Sequence, residues 1–134
     1  MHNRYPDKVG LKLGFDQNLA HKIYAGSDIF LMPSKSEPCG LAQMVALRYG
    51  TIPVVRKTGG LNDTITDSGD GVGNGFTFEN YNAHDMQNAV WRAVQGFGDK
   101  KGFEIMRKRA MVCNNSWAAS ANAYIRLYKE ILGK

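Results

Sequence analysis

The residue types best suited to chemistry stand together in one short segment, Ser36-Glu37-Pro38-Cys39-Gly40-Leu41. It lies between an apolar run and a helical pattern, and in an open α/β sheet ligands bind at such junctions. We expect the N–H groups of Cys39, Gly40 and Leu41 to point out of the helix start, where the dipole favours phosphate. Glu37 places a carboxylate beside that anion site, which is unfavourable unless the carboxylate binds hydroxyl groups. A sugar joined to a diphosphate meets both requirements.

A purely structural role is the alternative for the same segment. In that interpretation Glu37 caps the following helix, and Gly40 only allows the chain to turn. The residue pattern taken alone favours this structural interpretation. Both interpretations stay open at this point.

A second candidate anion site is Thr58-Gly59-Gly60-Leu61, which leads into another helix start. The alternative is that the two glycines form a turn that lets a strand and a helix pack closely. Arg56 and Lys57 precede this segment and are candidates either for binding phosphate or for a structural role. The two cysteines, Cys39 and Cys113, have no spacing typical of a disulfide or a zinc site.

Short apolar runs alternate with helical patterns along the chain, which indicates βαβ units around a parallel sheet. Four strands are predicted, namely Val9–Leu13, Asp28–Met32, Ile52–Val55 and Gly75–Phe78. The run Asp28–Met32 hardly alternates, so we expect that strand to be buried on both faces. A doubly wound domain usually has five or six strands, so this number indicates part of a larger domain.

Helical patterns fill the rest of the chain. The predicted helices are Asp16–Tyr24, Leu41–Tyr49 with Gly50 as terminator, Leu61–Ile65, a helix around Met86–Phe97, Gly102–Asn114, and a last helix capped by Ser116. The last helix carries a wide apolar stripe, formed by Trp117, Ala121, Tyr124, Ile125, Tyr128 and Ile131.

The composition excludes several classes of protein. The chain has 134 residues and a formal charge of +5, from 17 Lys and Arg against 12 Asp and Glu. The basic residues are mostly scattered, which favours a solvated surface or a small anionic ligand over nucleic acid. The sequence has neither an apolar run of membrane-spanning length nor an apolar secretory region. We therefore predict one domain in a cytoplasmic compartment, or in a plastid if the source is a plant.

Four consecutive segments closely resemble the family of bacterial glycogen synthases and plant starch synthases: Ser27–Ser34, Glu37–Met44, Arg48–Arg56 and Thr58–Thr64. Their order and spacing run unbroken, and weaker similarity extends over nearly the whole chain. The resemblance implies a GT-B glycosyltransferase, in which two Rossmann-like domains face each other across a cleft. Residues 1–134 would be part of the C-terminal, nucleotide-sugar-binding domain, an α/β fold with a three-layer Rossmann-like parallel sheet and terminal helices from about residue 83.

The activity implied by this resemblance is transfer of glucose from ADP-glucose to the non-reducing end of an α-1,4-glucan, with retention of configuration. The resemblance implies no metal. It implies no cofactor either, since ADP-glucose is consumed as a substrate. The implied partners are ADP-glucose, the glucan and the missing N-terminal half of the enzyme, with no nucleic acid and no membrane.

The resemblance also assigns roles to individual residues. Glu37 would hold hydroxyl groups of the donor glucose, the amides of Cys39 and Gly40 would contact the sugar, and the Leu41 amide would face the distal phosphate. The segment Thr58-Gly59-Gly60 would lie close to the donor cleft. Phe15 falls where the family commonly has a tyrosine that stacks on adenine, although a core phenylalanine is an equally good interpretation.

The cations that stabilise the leaving diphosphate precede this segment in the family, so a structural role is preferred for Arg56 and Lys57. For the same reason we expect the isolated chain to be inactive. The family's terminal helix commonly packs on the other domain, so the apolar stripe is expected to be exposed and to favour self-association. Two alternatives remain: another GT-B transferase with a different sugar nucleotide, and a non-catalytic module that binds a nucleotide sugar.

Overall fold

Three parallel strands form the central sheet of the computed structural model, which describes residues 1–133. The strands are β1 (Ile29–Met32), β2 (Ile52–Arg56) and β3 (Phe76–Phe78), and they lie in the order β1-β2-β3. Ile29 pairs with Ile52 and Val54 with Phe76, so the carboxyl ends of all three strands lie on the same side of the sheet, which we call the carboxyl edge. Ligands bind at the carboxyl ends of the strands in open α/β sheets.

Six helices surround these strands within the described residues. They are α1 (Gln17–Gly26), α2 (Ala42–Tyr49), α3 (Gly59–Thr64), α4 (Ala83–Gly98), α5 (Lys100–Met111) and α6 (Trp117–Ile131). Two short 3₁₀ turns span His2–Arg4 and Ser68–Asp70. The predicted helices are confirmed with ends shifted by a few residues. The predicted cap of the last helix is also confirmed, because the Ser116 hydroxyl accepts the Ala119 N–H at 3.3 Å.

Strand β2 lies at the centre of the core, with Ile52, Val54 and Val55 fully buried. Pro53 is tolerated in this central strand because of where the neighbouring strands begin. The Ile52 N–H donates to the Asp28 carbonyl on the β1 side. The next nitrogen along the strand, that of Pro53, therefore faces β3, and it carries no hydrogen to donate. Pairing with β3 starts only at Val54, so no ladder hydrogen bond is lost at the proline.

Strand β1 is half-buried rather than buried on both faces, contrary to the prediction from its apolar run. It forms one edge of the sheet, and Leu31 is 42% exposed. The uniform apolar pattern sets the strand but does not determine whether a neighbour covers both of its faces.

The predicted strand Val9–Leu13 is wrong, since this segment is irregular in the structure. Leu11 is 64% and Leu13 is 80% exposed, and the segment pairs with no strand among residues 1–133. A strand is stabilised by hydrogen bonds to a neighbouring strand, so its residue pattern alone cannot form one.

Helices α2, α4 and α5 pack on the sheet and on one another. Their buried residues close the core around β2 and β3, and they include Leu47, Ala89, Ala93, Phe103, Met106 and Ala110. Helix α6 has no buried residue and contributes none to this core. None of the described helices has the length and apolarity needed to cross a lipid bilayer.

Candidate functional site

The loop that joins β1 to α2 is the centre of the candidate site. It leaves the carboxyl end of β1 at Pro33 and ends at Leu41, the N-cap of α2. Gly40 has φ +72°, a conformation that side chains of L-residues rarely adopt, and this confirms the predicted turn at Gly40. The turn lies directly before Leu41, so α2 starts immediately after it.

Three successive peptide groups of this loop present their N–H groups without an acceptor. The N–H groups of Cys39, Gly40 and Leu41 donate no hydrogen bond to any atom of residues 1–133. Cys39 and Leu41 are exposed, whereas Gly40 is buried, so the donors of Cys39 and Leu41 belong to residues that are open to solvent. These acceptor-free amides lie at the start of α2, where the helix dipole adds partial positive charge, and that they face a ligand stays a prediction.

Glu37 is half-buried next to these amides. Its carboxylate takes part in no hydrogen bond and no ion pair within the described residues. The alternative in which Glu37 caps the helix is wrong, because the N-cap of α2 is Leu41 and no side chain accepts a cap hydrogen bond there. The carboxylate is thus available to hydroxyl groups of a ligand.

The segment Thr58–Gly60 packs directly against the loop. A β-carbon on Gly59 would lie 2.1 Å from the Glu37 carbonyl oxygen, and one on Gly60 would lie 2.0 Å from that of Cys39. The Gly60 N–H also donates to the Pro38 carbonyl at 3.3 Å. The two glycines therefore have the close-packing role, although here a loop rather than a strand contacts the helix.

Arg56 is structural, as preferred from the sequence. Its Nε donates to the Ser34 carbonyl at 2.9 Å and its Nη1 to the Glu79 carbonyl at 3.3 Å. A third bond goes to the Lys35 carbonyl. Arg56 thereby ties the loop after β1 to the loop after β3, and Lys57 forms an exposed ion pair with Glu79 at 3.0 Å.

Gln43 is a residue of the site that the sequence interpretation missed. It is fully buried in α2, and its side-chain amide bonds the loop and Thr64 of α3. The available signal was one amide side chain among the apolar residues that precede Arg48 in this helix, since a buried polar group needs partners. Which partners it has could not be read from the sequence.

Comparisons with known proteins show the family to which this chain belongs. The family described as "Glycosyl transferases group 1" matches residues 4–101. The chain belongs to this glycosyltransferase family. A glycogen synthase from Bacillus anthracis is 54% identical over 134 residues, which cover 98% of this chain and 28% of the relative. One from Anoxybacillus flavithermus is 52% identical, covering 96% and 27%.

A solved structure gives the same fold. The catalytic domain of Starch Synthase IV from Arabidopsis thaliana, bound to ADP and acarbose, is 39% identical with a TM-score of 0.83. The match covers 99% of this chain and 29% of that one. The predicted fold class, part of a GT-B glycosyltransferase, is confirmed, and this glycosyltransferase chain spans under a third of the length of these relatives.

Phe15 of this glycosyltransferase chain is 90% exposed and precedes Asp16, the N-cap of α1. The alternative of a core phenylalanine is therefore wrong for this chain. No hydrogen bond or ring contact within residues 1–133 joins Phe15 to the loop, so its stacking on adenine stays a prediction.

Glu37 is half-buried and Cys39 and Leu41 are exposed, so the loop forms an open surface rather than an enclosed cavity. A pocket of about 300 Å³ lies at the same edge of the sheet, lined by Pro33, Phe78, Tyr81, Asn82, Ala83 and Met86. Within the described residues no three His, Cys, Asp or Glu side chains come together as a metal site. What the glycosyltransferase chain offers at this edge is amide donors and one carboxylate.

Proposed function

We propose that this chain is the nucleotide-sugar side of the active site of a glycogen or starch synthase, with ADP-glucose as donor and an α-1,4-glucan as acceptor. The observation that carries the proposal is the set of three acceptor-free amides beside the free carboxylate of Glu37. The 54% identical glycogen synthase and the ADP-bound starch synthase structure support the choice of donor.

The two halves of the donor would bind to different groups of the site. The Leu41 amide and the dipole of α2 receive the distal phosphate, where they stabilise negative charge. The amides of Cys39 and Gly40 contact the sugar, and Glu37 accepts hydrogen bonds from its hydroxyl groups. Phe15 offers a ring for adenine, and Thr58, Gly59 and Gly60 form the wall beside the sugar.

Bond breakage needs cations at the leaving diphosphate, because charge accumulates there as the glucosyl group departs. Arg56 donates to three backbone carbonyls, so it is not free for that task, and Lys57 pairs with Glu79 on the surface. We therefore assign the cations and the glucan groove to parts of the enzyme outside these residues. The chain by itself would bind the donor weakly and transfer no glucose.

The test uses a hybrid of the Bacillus anthracis relative in which this chain replaces its matching segment. We expect the hybrid to incorporate glucose from ADP-glucose into glycogen, and the isolated chain to incorporate none. Glu37→Gln should lower kcat/KM by about 10- to 100-fold, because the hydrogen bonds from the sugar hydroxyl groups to a charged carboxylate are lost.

Glu104→Gln is the matched control, because Glu104 lies on α5 and its side chain is 51% exposed. Equal rates for the Glu37→Gln and Glu104→Gln hybrids would contradict the assignment of Glu37. A faster reaction with UDP-glucose than with ADP-glucose would assign the chain to a transferase with another donor. Donor binding without any transfer by the hybrid would favour a non-catalytic module.

A further inference from the structure

Gln43 binds the loop between β1 and α2 through its side-chain nitrogen, from the buried side of the loop. The residue is 0% exposed, and its Nε2 donates to the carbonyls of Gly40 at 2.8 Å and Cys39 at 3.2 Å. The same nitrogen lies 3.1 Å from the Thr64 hydroxyl, which itself donates to the Gly60 carbonyl at 2.7 Å. One buried amide therefore connects the loop to α3.

The orientation of this amide is fixed by its neighbours. Two of the three groups around Nε2 are carbonyls, which only accept hydrogen bonds, so the nitrogen must face them. The Oε1 atom is left buried without a partner in the described residues and faces Gly40. A buried acceptor without a partner is unfavourable, and natural proteins retain few of them. A side chain on Gly40 would displace this amide, since its β-carbon would lie 2.6 Å from Oε1.

Peptide geometry links these carbonyls to the outward amides. In a planar trans peptide the C=O and the next N–H point in opposite directions, and none of the described peptide bonds is cis. A Cys39 carbonyl turned toward Gln43 therefore turns the Gly40 N–H away from the interior. The Gly40 carbonyl does the same for the Leu41 N–H.

We infer that Gln43 is a positioning residue, which aims the Gly40 and Leu41 amides at the donor by fixing the two carbonyls behind them. It touches no substrate itself. What the amides bind rests on the proposed function, whereas their direction depends only on Gln43 and Gly40. Thr64 assists by locating the Gln43 amide against α3.

The direction of the amides is measured by residual dipolar couplings of the isolated chain in solution. In Gln43→Met, which removes the donor and keeps the length, we expect the couplings of the Gly40 and Leu41 N–H groups to change. Those of Ala46 and Leu47 should stay the same, because α2 remains a helix. Gln95→Met on the exposed side of α4 is the control and should leave all four couplings unchanged.

Titration of ADP-glucose, followed by amide chemical shifts, provides the second readout. We expect Gln43→Met to weaken binding by about 10- to 100-fold, the loss of about one charge-assisted hydrogen bond. Unchanged Gly40 and Leu41 couplings in Gln43→Met would overturn the inference, whatever happens to binding. Changed couplings in a chain whose wild type binds no ADP-glucose would support the inference and overturn the proposed function.

If Gln43→Met does not fold, Thr64→Val provides a second variant for the same measurement of couplings. It removes the hydroxyl that locates the Gln43 amide and keeps the side-chain shape. The Gly40 and Leu41 couplings should then shift in the same sense, while Thr64→Ser, which keeps the hydroxyl, should retain the wild-type values. Wild-type couplings in a folded Thr64→Val would overturn the inference.

Discussion

Gly60 has no room for a side chain, although nothing in its backbone conformation requires glycine. A β-carbon added to Gly60 would meet three backbone atoms of Cys39 within 2.6 Å, and the residue is buried. Backbone atoms cannot swing aside as the end of a flexible side chain can. The close approach of α3 to the loop therefore depends on the absence of a side chain at Gly60, as it does at Gly59.

We expect Gly60→Ala to lower the free energy of unfolding by about 1–3 kcal/mol, the usual cost of overpacking. Urea unfolding of both proteins measures the difference. The control is Gly98→Ala, because a β-carbon there would meet nothing within 4 Å. A Gly60→Ala chain as stable as the wild type, with unshifted Cys39 amide resonances, would contradict the close contact.

Asp67 ties three elements together: the 3₁₀ turn that it caps, β3 and α4. Arg92 of α4 donates to both of its carboxylate oxygens, at 2.7 and 3.1 Å. The N–H and hydroxyl of Thr77 in β3 donate to it at 2.6 and 2.9 Å. Burial by itself raises the pKa of Asp67, but the bonds from Arg92, Thr77 and Gly69 outweigh it and lower the pKa from 3.8 to about 2.

This lowered pKa predicts acid sensitivity. A carboxyl group whose pKa is lower in the folded state contributes stability above pH 3.8, and the contribution is lost as pH falls from about 4 to about 2. We expect Asp67→Asn to lower the free energy of unfolding at pH 6 by about 1.5–3 kcal/mol, typical of hydrogen bonds to a charged group. The difference from the wild type should shrink as pH approaches 2.

Thermal unfolding at pH 6, 4, 3 and 2 checks this prediction. Asp63→Asn is the control, since Asp63 is exposed and its side chain makes no hydrogen bond within the described residues. Its difference from the wild type should be small at each pH. A constant difference for Asp67→Asn across the whole range would show that the carboxylate charge contributes nothing.

At the scale of the whole molecule, the core of the described residues does not cover α6. Trp117 is 91% and Ile131 is 71% exposed, and α6 has no buried residue. Along α6 the apolar residues recur at alternating spacings of four and three, as in helices that pair with another helix. The predicted exposure of the stripe is confirmed, whereas self-association through it stays a proposal.

We expect the isolated chain to associate with itself as its concentration rises, because association buries this stripe. Sedimentation equilibrium should show an average mass that increases with concentration for the wild type. Tyr128→Ser, which interrupts the stripe, should weaken the association, and Arg126→Ser on the same helix should not. A wild-type chain that is monomeric at the highest attainable concentration would contradict the proposal.

The sequence by itself determined the local elements and the kind of site. Apolar periods and capping residues depend on neighbours a few positions away, so β1, β2, β3 and the helices could be located within a few residues. The loop around Glu37 and Gly40 could be recognised because its residues are adjacent in the chain.

Only the tertiary structure decided how these elements meet. Gln43 and Thr64 are 21 positions apart and Asp67 and Arg92 are 25 apart, and no local pattern encodes such pairs. The exposure of β1 and the irregular Val9–Leu13 segment depend on whether a neighbouring strand is present, which is a property of the sheet. The direction of the Gly40 and Leu41 amides depends on a buried side chain behind them, and so it follows from packing.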